Sequence, residues 1–201
     1  MDTQALFKIT YGLYLISSKY QDKESGCIVN TLTQVTADPV QICLTIQKKS
    51  YTAQIIKQSH IFNATVLLEG ISMDIIKTFG FESGRNKDKF HDIEYQEDEQ
   101  GIKYIAKKMA AYYSCEVIKT LDIGTHYMFI AKVKEARILS EQPVLTYEAY
   151  QTKKKELDQS KTKGKQGWRC VVCGYIYEGE TLPKDYICPL CKVDASHFEK
   201  I

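Results

Sequence analysis

Apolar residues in positions 1–150 follow two periods, which predict a mainly β domain with a few short helices. Runs rich in Val, Ile, Thr and Tyr predict strands at Leu13–Ser18, Cys27–Thr31, Gln41–Gln47, Phe62–Leu68, Ala110–Lys119 and His126–Ile138. Apolar residues three and four positions apart predict helices at Thr3–Ile9, Thr52–Ser59 and Ser72–Phe79, the last with Ser72 as its N-cap. Many strands with few helices indicate an antiparallel barrel rather than a doubly wound sheet.

The pattern changes at residues 151–167, which contain six lysines and a single large apolar residue, Leu157. Such a segment cannot bury enough apolar surface to fold alone, so it predicts a solvated, flexible linker. A docking role for its charge is the alternative. The six lysines, less Glu156 and Asp158, give +4, so the rest of the chain carries −2 of the net charge of +2. No basic face is therefore expected for nucleic acid.

Composition places the chain among folded globular proteins, because 44% of its 201 residues are hydrophobic and 26% are charged. No apolar run approaches 18 residues, so no membrane-spanning helix is expected. The N-terminus does not resemble a signal peptide, which predicts a cytoplasmic protein in a reducing compartment. The sequence contains neither the glycine-rich fingerprint of dinucleotide-binding folds nor a P-loop.

Residues 168–201 contain two cysteine pairs, Cys170-Val-Val-Cys173 and Cys188-Pro-Leu-Cys191, with 14 residues between them. This spacing can place four thiolates around one metal, and a sulfur-only tetrahedral site suits zinc or iron. Two disulfides are the alternative. The other three cysteines, Cys27, Cys43 and Cys115, lie in strand-like apolar runs and are expected to be buried free thiols.

The residues around these cysteines resemble rubredoxin in its short form, which occurs fused to other redox proteins. Gly174 follows the first pair, where a residue without Cβ can take a positive φ. The aromatic core of such a domain would consist of Trp168, Tyr175, Tyr177, Tyr186 and Phe198. Lys192 departs from the pattern, which usually has a small residue there. The resemblance implies one iron held by Cys170, Cys173, Cys188 and Cys191, with a structural zinc ribbon as the alternative.

Four segments of the first 150 residues resemble the flavin reductase family, in the order in which that family has them. They are Ile28–Pro39, Lys48–Thr52, Phe81–Phe90 and Gly124–His126. The resemblance spans roughly residues 5–150 and implies an FMN-binding split β-barrel. It divides the chain into a barrel at 1–150, a linker at 151–167 and a rubredoxin-like metal domain at 168–201.

The flavin reductase resemblance also implies a set of site residues. Residues of an extended segment would lie along the flavin ring: Asn30, Thr31, Leu32, Thr33 and Gln34. Because side chains alternate along a strand, Asn30, Leu32 and Gln34 would point to one side. Hydroxyls at a helix start, with nearby cations, would hold the flavin phosphate: Ser50, Thr52, Arg85 and Lys89. His126 is the catalytic candidate, although Thr125 stands where the family commonly has Asp.

The whole arrangement resembles the high-molecular-weight rubredoxin family. This implies an electron transfer protein that takes electrons from NAD(P)H through FMN to the iron, and on to a flavo-diiron oxygen or nitric oxide reductase or another redox partner. It also implies a homodimer. Two other functions stay open: a non-enzymatic carrier loaded by a separate reductase, and a flavoprotein with a zinc ribbon.

Overall fold

The computed structural model describes residues 5, 8–162, 167–172, 174–189 and 193–201, with the side chains of residues 155–162 left aside. The chain forms two compact units, Met1–Ala149 and Tyr150–Ile201. None of the helices within these residues is both long and apolar enough to cross a membrane. Most of the helix predicted at Thr3–Ile9 lies outside the described residues.

The first unit is a seven-stranded antiparallel sheet with two helices and a small hairpin. Its elements are β1 (Tyr14–Tyr20), β2 (Lys23–Val29), β3 (Leu32–Ala37), β4 (Val40–Gln47), α1 (Tyr51–Ser59), β5 (Ile61–Leu67), α2 (Met73–Phe81), β6 (Gln96–Glu97), β7 (Lys103–Tyr104), β8 (Met109–Asp122) and β9 (His126–Ile138). The strand order is β2-β1-β5-β8-β9-β4-β3, while β6 and β7 pair separately.

Closure of this sheet follows from its order. Strands β2 and β3 lie at opposite edges, yet only Asn30 and Thr31 separate them in the chain. The two edges must therefore approach each other, so the sheet curls into a barrel, and the predicted mainly β barrel class is confirmed. The interior holds alternate residues of the strands, among them Ile16, Leu44 and Phe129, each fully buried.

Helix α1 packs on β1 and β2 with Ala53, Ile55 and Ile56 buried. Helix α2 begins as its sequence predicts, because the Ser72 hydroxyl accepts a hydrogen bond from the Asp74 amide. Strand β2 starts four residues earlier than the predicted Cys27–Thr31 strand. The residues before Cys27 are mostly polar and give no strand pattern, but the tight β1–β2 hairpin pairs Tyr20 with Lys23 in the backbone ladder.

A third helix, α3 (Tyr147–Thr162), occupies most of the segment that composition predicts as a flexible linker. The lysine, glutamate and glutamine residues of this segment have high helix propensity, which favours a helix although the segment contains few apolar residues. The Thr146 hydroxyl accepts a hydrogen bond from the Ala149 amide at 3.1 Å, which satisfies one donor of the first turn. The expected random coil is therefore a regular helix through Thr162, while the domain division itself stays a prediction.

The second unit contains a small antiparallel sheet of three strands: β10 (Trp168–Cys170), β11 (Ile176–Tyr177) and β12 (Phe198–Lys200). Its order is β11-β10-β12. A short 3₁₀ turn, Ala195–His197, precedes β12. Cys170, Cys188 and Phe198 form its core, surrounded by partly buried aromatic and aliphatic side chains.

Candidate functional site

The amide groups in the first turn of α1 receive no hydrogen-bond acceptor from the N-cap side chain. Ser50 occupies the N-cap with an extended backbone, but its hydroxyl makes no capping hydrogen bond. The Thr52 side chain is buried and donates to the Ser25 hydroxyl of β2 at 3.3 Å. Uncapped amides at a helix N-terminus favour an anion, because the donors and the helix dipole both face it.

The loop after α2 brings a positive charge to this helix start. Arg85 donates to the Lys49 carbonyl at 3.2 Å and to the Gln54 side-chain carbonyl at 2.6 Å. Its guanidinium carbon lies 5.1 Å from the centre of the Tyr51 ring. No carboxylate of the described residues forms an ion pair with Arg85, so its charge can act on a bound anion.

Gly84 allows this loop to lie directly against β2. A Cβ atom at Gly84 would stand 2.1 Å from the Ser25 hydroxyl oxygen and 3.0 Å from the Ser25 Cβ. No side chain fits that distance, so the loop conformation that places Arg85 requires glycine at this position.

Replacing Gly84 by alanine should weaken FMN binding about ten-fold, because the added methyl group displaces Ser25 and moves Arg85 away from α1. Titration of flavin-free protein with FMN measures this change. Gly70→Ala is the matched control, since a Cβ there would meet only the Lys108 ammonium, at 3.8 Å. Equal FMN affinity of both variants would contradict the packing explanation.

Lys89 lies beneath the helix start rather than at its surface. It is only 5% exposed, and its ammonium donates to the Gly26 carbonyl at 2.9 Å and the Phe79 carbonyl at 3.3 Å. Burial lowers the pKa of Lys89, against the opposing effects of Cys27 and Glu82. Lys89 therefore joins β2 to the last turn of α2 and supplies a fixed positive charge from below.

Cys27 lies in the same buried cluster, which sequence reasoning did not anticipate. Burial raises the pKa of the Cys27 thiol, although hydrogen bonds with Thr52 and Ser50 and the charge of Lys89 act in the opposite direction. The thiol therefore stays protonated at neutral pH. Cys43 and Cys115 are buried, as the sequence predicts, and burial raises the pKa of both thiols, whereas Cys27 is only partly buried.

His126 is half-buried at the end of the barrel where α1 begins. It opens β9 and pairs with Gln47, the last residue of β4, three positions before Ser50. The Thr125 hydroxyl lies 2.7 Å from the His126 Nδ1 atom. This contact can fix the orientation of the imidazole ring, and the tautomer of His126 decides which of the two atoms donates.

The segment predicted to lie along a flavin ring connects the two edge strands. Asn30 is half-buried in the bend after β2, and the Thr31 carbonyl accepts from the Thr45 amide at 2.9 Å. Leu32 is 8% exposed and packs in the barrel core, while Thr33 and Gln34 are exposed. Leu32, Thr33 and Gln34 line a cavity of about 160 Å³. The backbone of this segment is thus accessible along β3, whereas the Leu32 side chain mainly stabilises the core.

Two of the four candidate metal ligands, Cys170 and Cys188, are fully buried in the core of the second unit. Cys173 and Cys191 lie outside the described residues, and among the described ones no three potential ligands form a metal-binding group. Gly174 has a φ of 78° and donates its amide to the Cys170 carbonyl at 2.8 Å. The Cys188 amide donates to the Val193 carbonyl at 2.8 Å. These tight turns around buried cysteines fit a sulfur-ligated metal.

Two family models match separate parts of the chain. Residues 6–155 match the flavin reductase like domain. Residues 168–199 match the rubrerythrin, rubredoxin-like domain.

Individual relatives agree with this division. A high molecular weight rubredoxin of Moorella thermoacetica is 33% identical, with both chains covered completely. A ferric-chelate reductase (NAD(P)H) of Archaeoglobus fulgidus is 35% identical over 77% of this chain and 92% of its own. The solved structure of an NADH:FAD oxidoreductase of Streptomyces globisporus shares the barrel fold with a TM-score of 0.65 and 18% identity, over 71% of this chain and 84% of that one.

Proposed function

We propose a function for a chain that belongs to the flavin reductase like family and carries a rubredoxin-like domain. It transfers electrons from NAD(P)H through FMN to one iron held by four cysteines. The iron then reduces a partner protein such as a flavo-diiron reductase. The observation that carries this proposal is the presence of both domains in one chain, together with uncapped amides at the start of α1 and Arg85 beside them.

The residues of the barrel have separate tasks in this proposal. The α1 amides, Ser50, Thr52 and Arg85 hold the flavin phosphate, with Lys89 adding positive charge from below. The segment Asn30–Gln34 offers backbone groups to the polar edge of the ring. His126, oriented by Thr125, acts as a hydrogen-bond donor at the mouth of the same site.

The cofactors supply the redox chemistry, because a flavin accepts two electrons as hydride and releases them singly, while one iron carries only one. Cys170, Cys173, Cys188 and Cys191 would hold that iron. The buried aromatic core keeps water away from Cys170 and Cys188. Exposed Val171 and Val172 follow Cys170 directly and form an apolar surface where a partner could approach.

Anaerobic purification followed by metal and flavin analysis tests this function. We expect one iron and one FMN per chain, and loss of flavin absorbance on mixing with NADH or NADPH. Stoichiometric zinc would instead support a zinc-ribbon flavoprotein. Flavin that neither nucleotide reduces would support a carrier that a separate reductase loads.

Replacing Arg85 by alanine should weaken FMN binding by about ten-fold or more, since a hydrogen bond to a charged group contributes about 1.5–3 kcal/mol. Titration of the flavin-free protein measures the affinity. Arg137→Ala is a suitable control, because Arg137 already pairs with Glu135 on β9. Arg85 would have no role in phosphate binding if both variants bound FMN equally.

We also propose that the barrels form a homodimer. Strands β3, β4, β8 and β9 expose large apolar side chains, among them Val35, Val40, Ile118 and Ile138. Association of two barrels would cover part of this apolar surface. Light scattering should give twice the chain mass of 23.1 kDa. A mass of one chain with FMN bound would contradict this assembly.

A further inference from the structure

Helix α3 contains a buried lysine, Lys154, whose side chain is only 7% exposed. Its neighbour in the chain, Lys153, is half-buried. Lysine side chains are seldom buried in proteins, because an ammonium that leaves water needs acceptors for its protons. The partner of Lys154 therefore indicates what this side chain does.

The Lys154 ammonium donates a hydrogen bond to the Val172 carbonyl. Both residues belong to the second compact unit of the chain. Val172 stands two positions after Cys170 and directly before Cys173, between the first two candidate metal ligands. The ammonium is thus bound to the backbone of the loop that would hold the metal.

Backbone hydrogen bonds hold this loop on both sides of Val172. The Val171 amide donates to the His197 carbonyl at 2.8 Å. The Gly174 amide donates to the Cys170 carbonyl, also at 2.8 Å. A positive charge bound to a loop held in this way stays close to the candidate ligands.

The position of this charge matters because of the chemistry of the proposed metal site. Iron held by four thiolates carries one more negative charge when it is reduced than when it is oxidised. A positive charge nearby therefore stabilises the reduced state more and raises the reduction potential. Burial strengthens the effect, because water screens a buried charge less than an exposed one.

We propose that Lys154, acting through the Val172 carbonyl, is a positioning residue that raises the reduction potential of the iron; the inference rests on the electron transfer function proposed above. The residue favours the step in which reduced flavin loses one electron and ferric iron gains it. No bond forms or breaks in this exchange. Helix α3 then contributes to the redox chemistry of the second domain as well as connecting the two matched segments.

Equilibration of the full-length, iron-loaded chain with redox dyes of known potential tests the inference. Electron paramagnetic resonance of the ferric iron measures its oxidised fraction separately from the flavin absorbance. Lys154→Met keeps the helix propensity but removes the charge. It should lower the equilibrium constant for one-electron reduction of the iron about ten-fold, which corresponds to about 59 mV.

Two further variants show whether the charge at this position is responsible. Lys154→Arg keeps a positive charge even when buried, so its equilibrium constant should stay within about three-fold of the unchanged chain. Lys153→Met is the matched control, because it removes the same charge from a different side of α3 and should change the constant less than about two-fold. An equal decrease in the Lys153 and Lys154 variants would overturn a specific role for Lys154.

The iron content separates failure of this inference from failure of the proposed function. Loss of iron from Lys154→Met would give Lys154 a purely structural role and overturn the inference. An unchanged potential in an iron-loaded Lys154→Met chain would also overturn it and leave the electron transfer function intact. If the unchanged chain contains no iron after anaerobic purification, both the function and the role of Lys154 are wrong.

Discussion

Replacing Cys170 by serine should remove at least nine-tenths of the iron and unfold the second domain, while the barrel keeps its FMN. Cys170 is fully buried with Cys188 and Phe198 in a very small core. A domain of fewer than about 40 residues rarely buries enough surface to fold without a metal or disulfides. Loss of one thiolate therefore removes both the ligand and the main source of stability.

Metal analysis and the visible spectrum measure the iron, and extraction of the flavin measures FMN. Cys43→Ser is the matched control, because Cys43 is a buried cysteine of β4 in the barrel and its change should leave the iron in place. A parallel loss of FMN and iron in the Cys170 variant would show that the two domains do not fold independently.

Deleting residues 168–201 should leave flavin reduction by NAD(P)H unchanged but slow electron delivery to a flavo-diiron partner by at least ten-fold. The barrel keeps every residue assigned to the flavin and its donor. The deletion removes the rubredoxin-like domain, whose covalent attachment raises its local concentration at the barrel. Stopped-flow measurement of flavin reduction and of partner reduction distinguishes the two steps.

Adding residues 168–201 as a separate protein supplies the control for this deletion. Delivery should recover only at high concentration of the added domain, because the attachment no longer supplies it locally. Undiminished delivery by the truncated barrel would mean that the flavin itself reduces the acceptor.

The sequence predicted those elements of the barrel whose strand or capping pattern lies within a few neighbouring residues. The strand predicted at His126–Ile138 has the bounds of β9, because its β-branched and aromatic run ends at turn residues on both sides. The cap of α2 at Ser72 was also predicted. Residues 151–162 form a helix where their low apolar content predicts a flexible linker, because lysine and glutamate have high helix propensity.

The candidate site likewise contains residues that the motifs predicted and contacts that they did not. Motifs identified Ser50, Thr52, Arg85 and Lys89, but not that Lys89 is buried on two backbone carbonyls beside Cys27. The position of Gly84 against Ser25 was equally unpredictable, since the two residues belong to distant segments. A polar cleft of about 520 Å³ beside Arg85 has no motif at all, because four separate parts of the chain line it: residues 22–24, Tyr51, residues 84–88 and Lys103.

The amino-acid sequence by itself determined local features: cysteine pairs spaced for one metal, hydroxyls at a helix start, and strand periods that predict a mainly β domain. Such features depend on neighbours within a few positions, where the geometry of a turn or a strand is known in advance. Only the tertiary structure decided which distant segments meet. Lys89 reaches Gly26 across 63 positions because β2 closes the barrel beneath α1 and α2. Closure of the sheet depends on packing of the whole core, so no local pattern contains it.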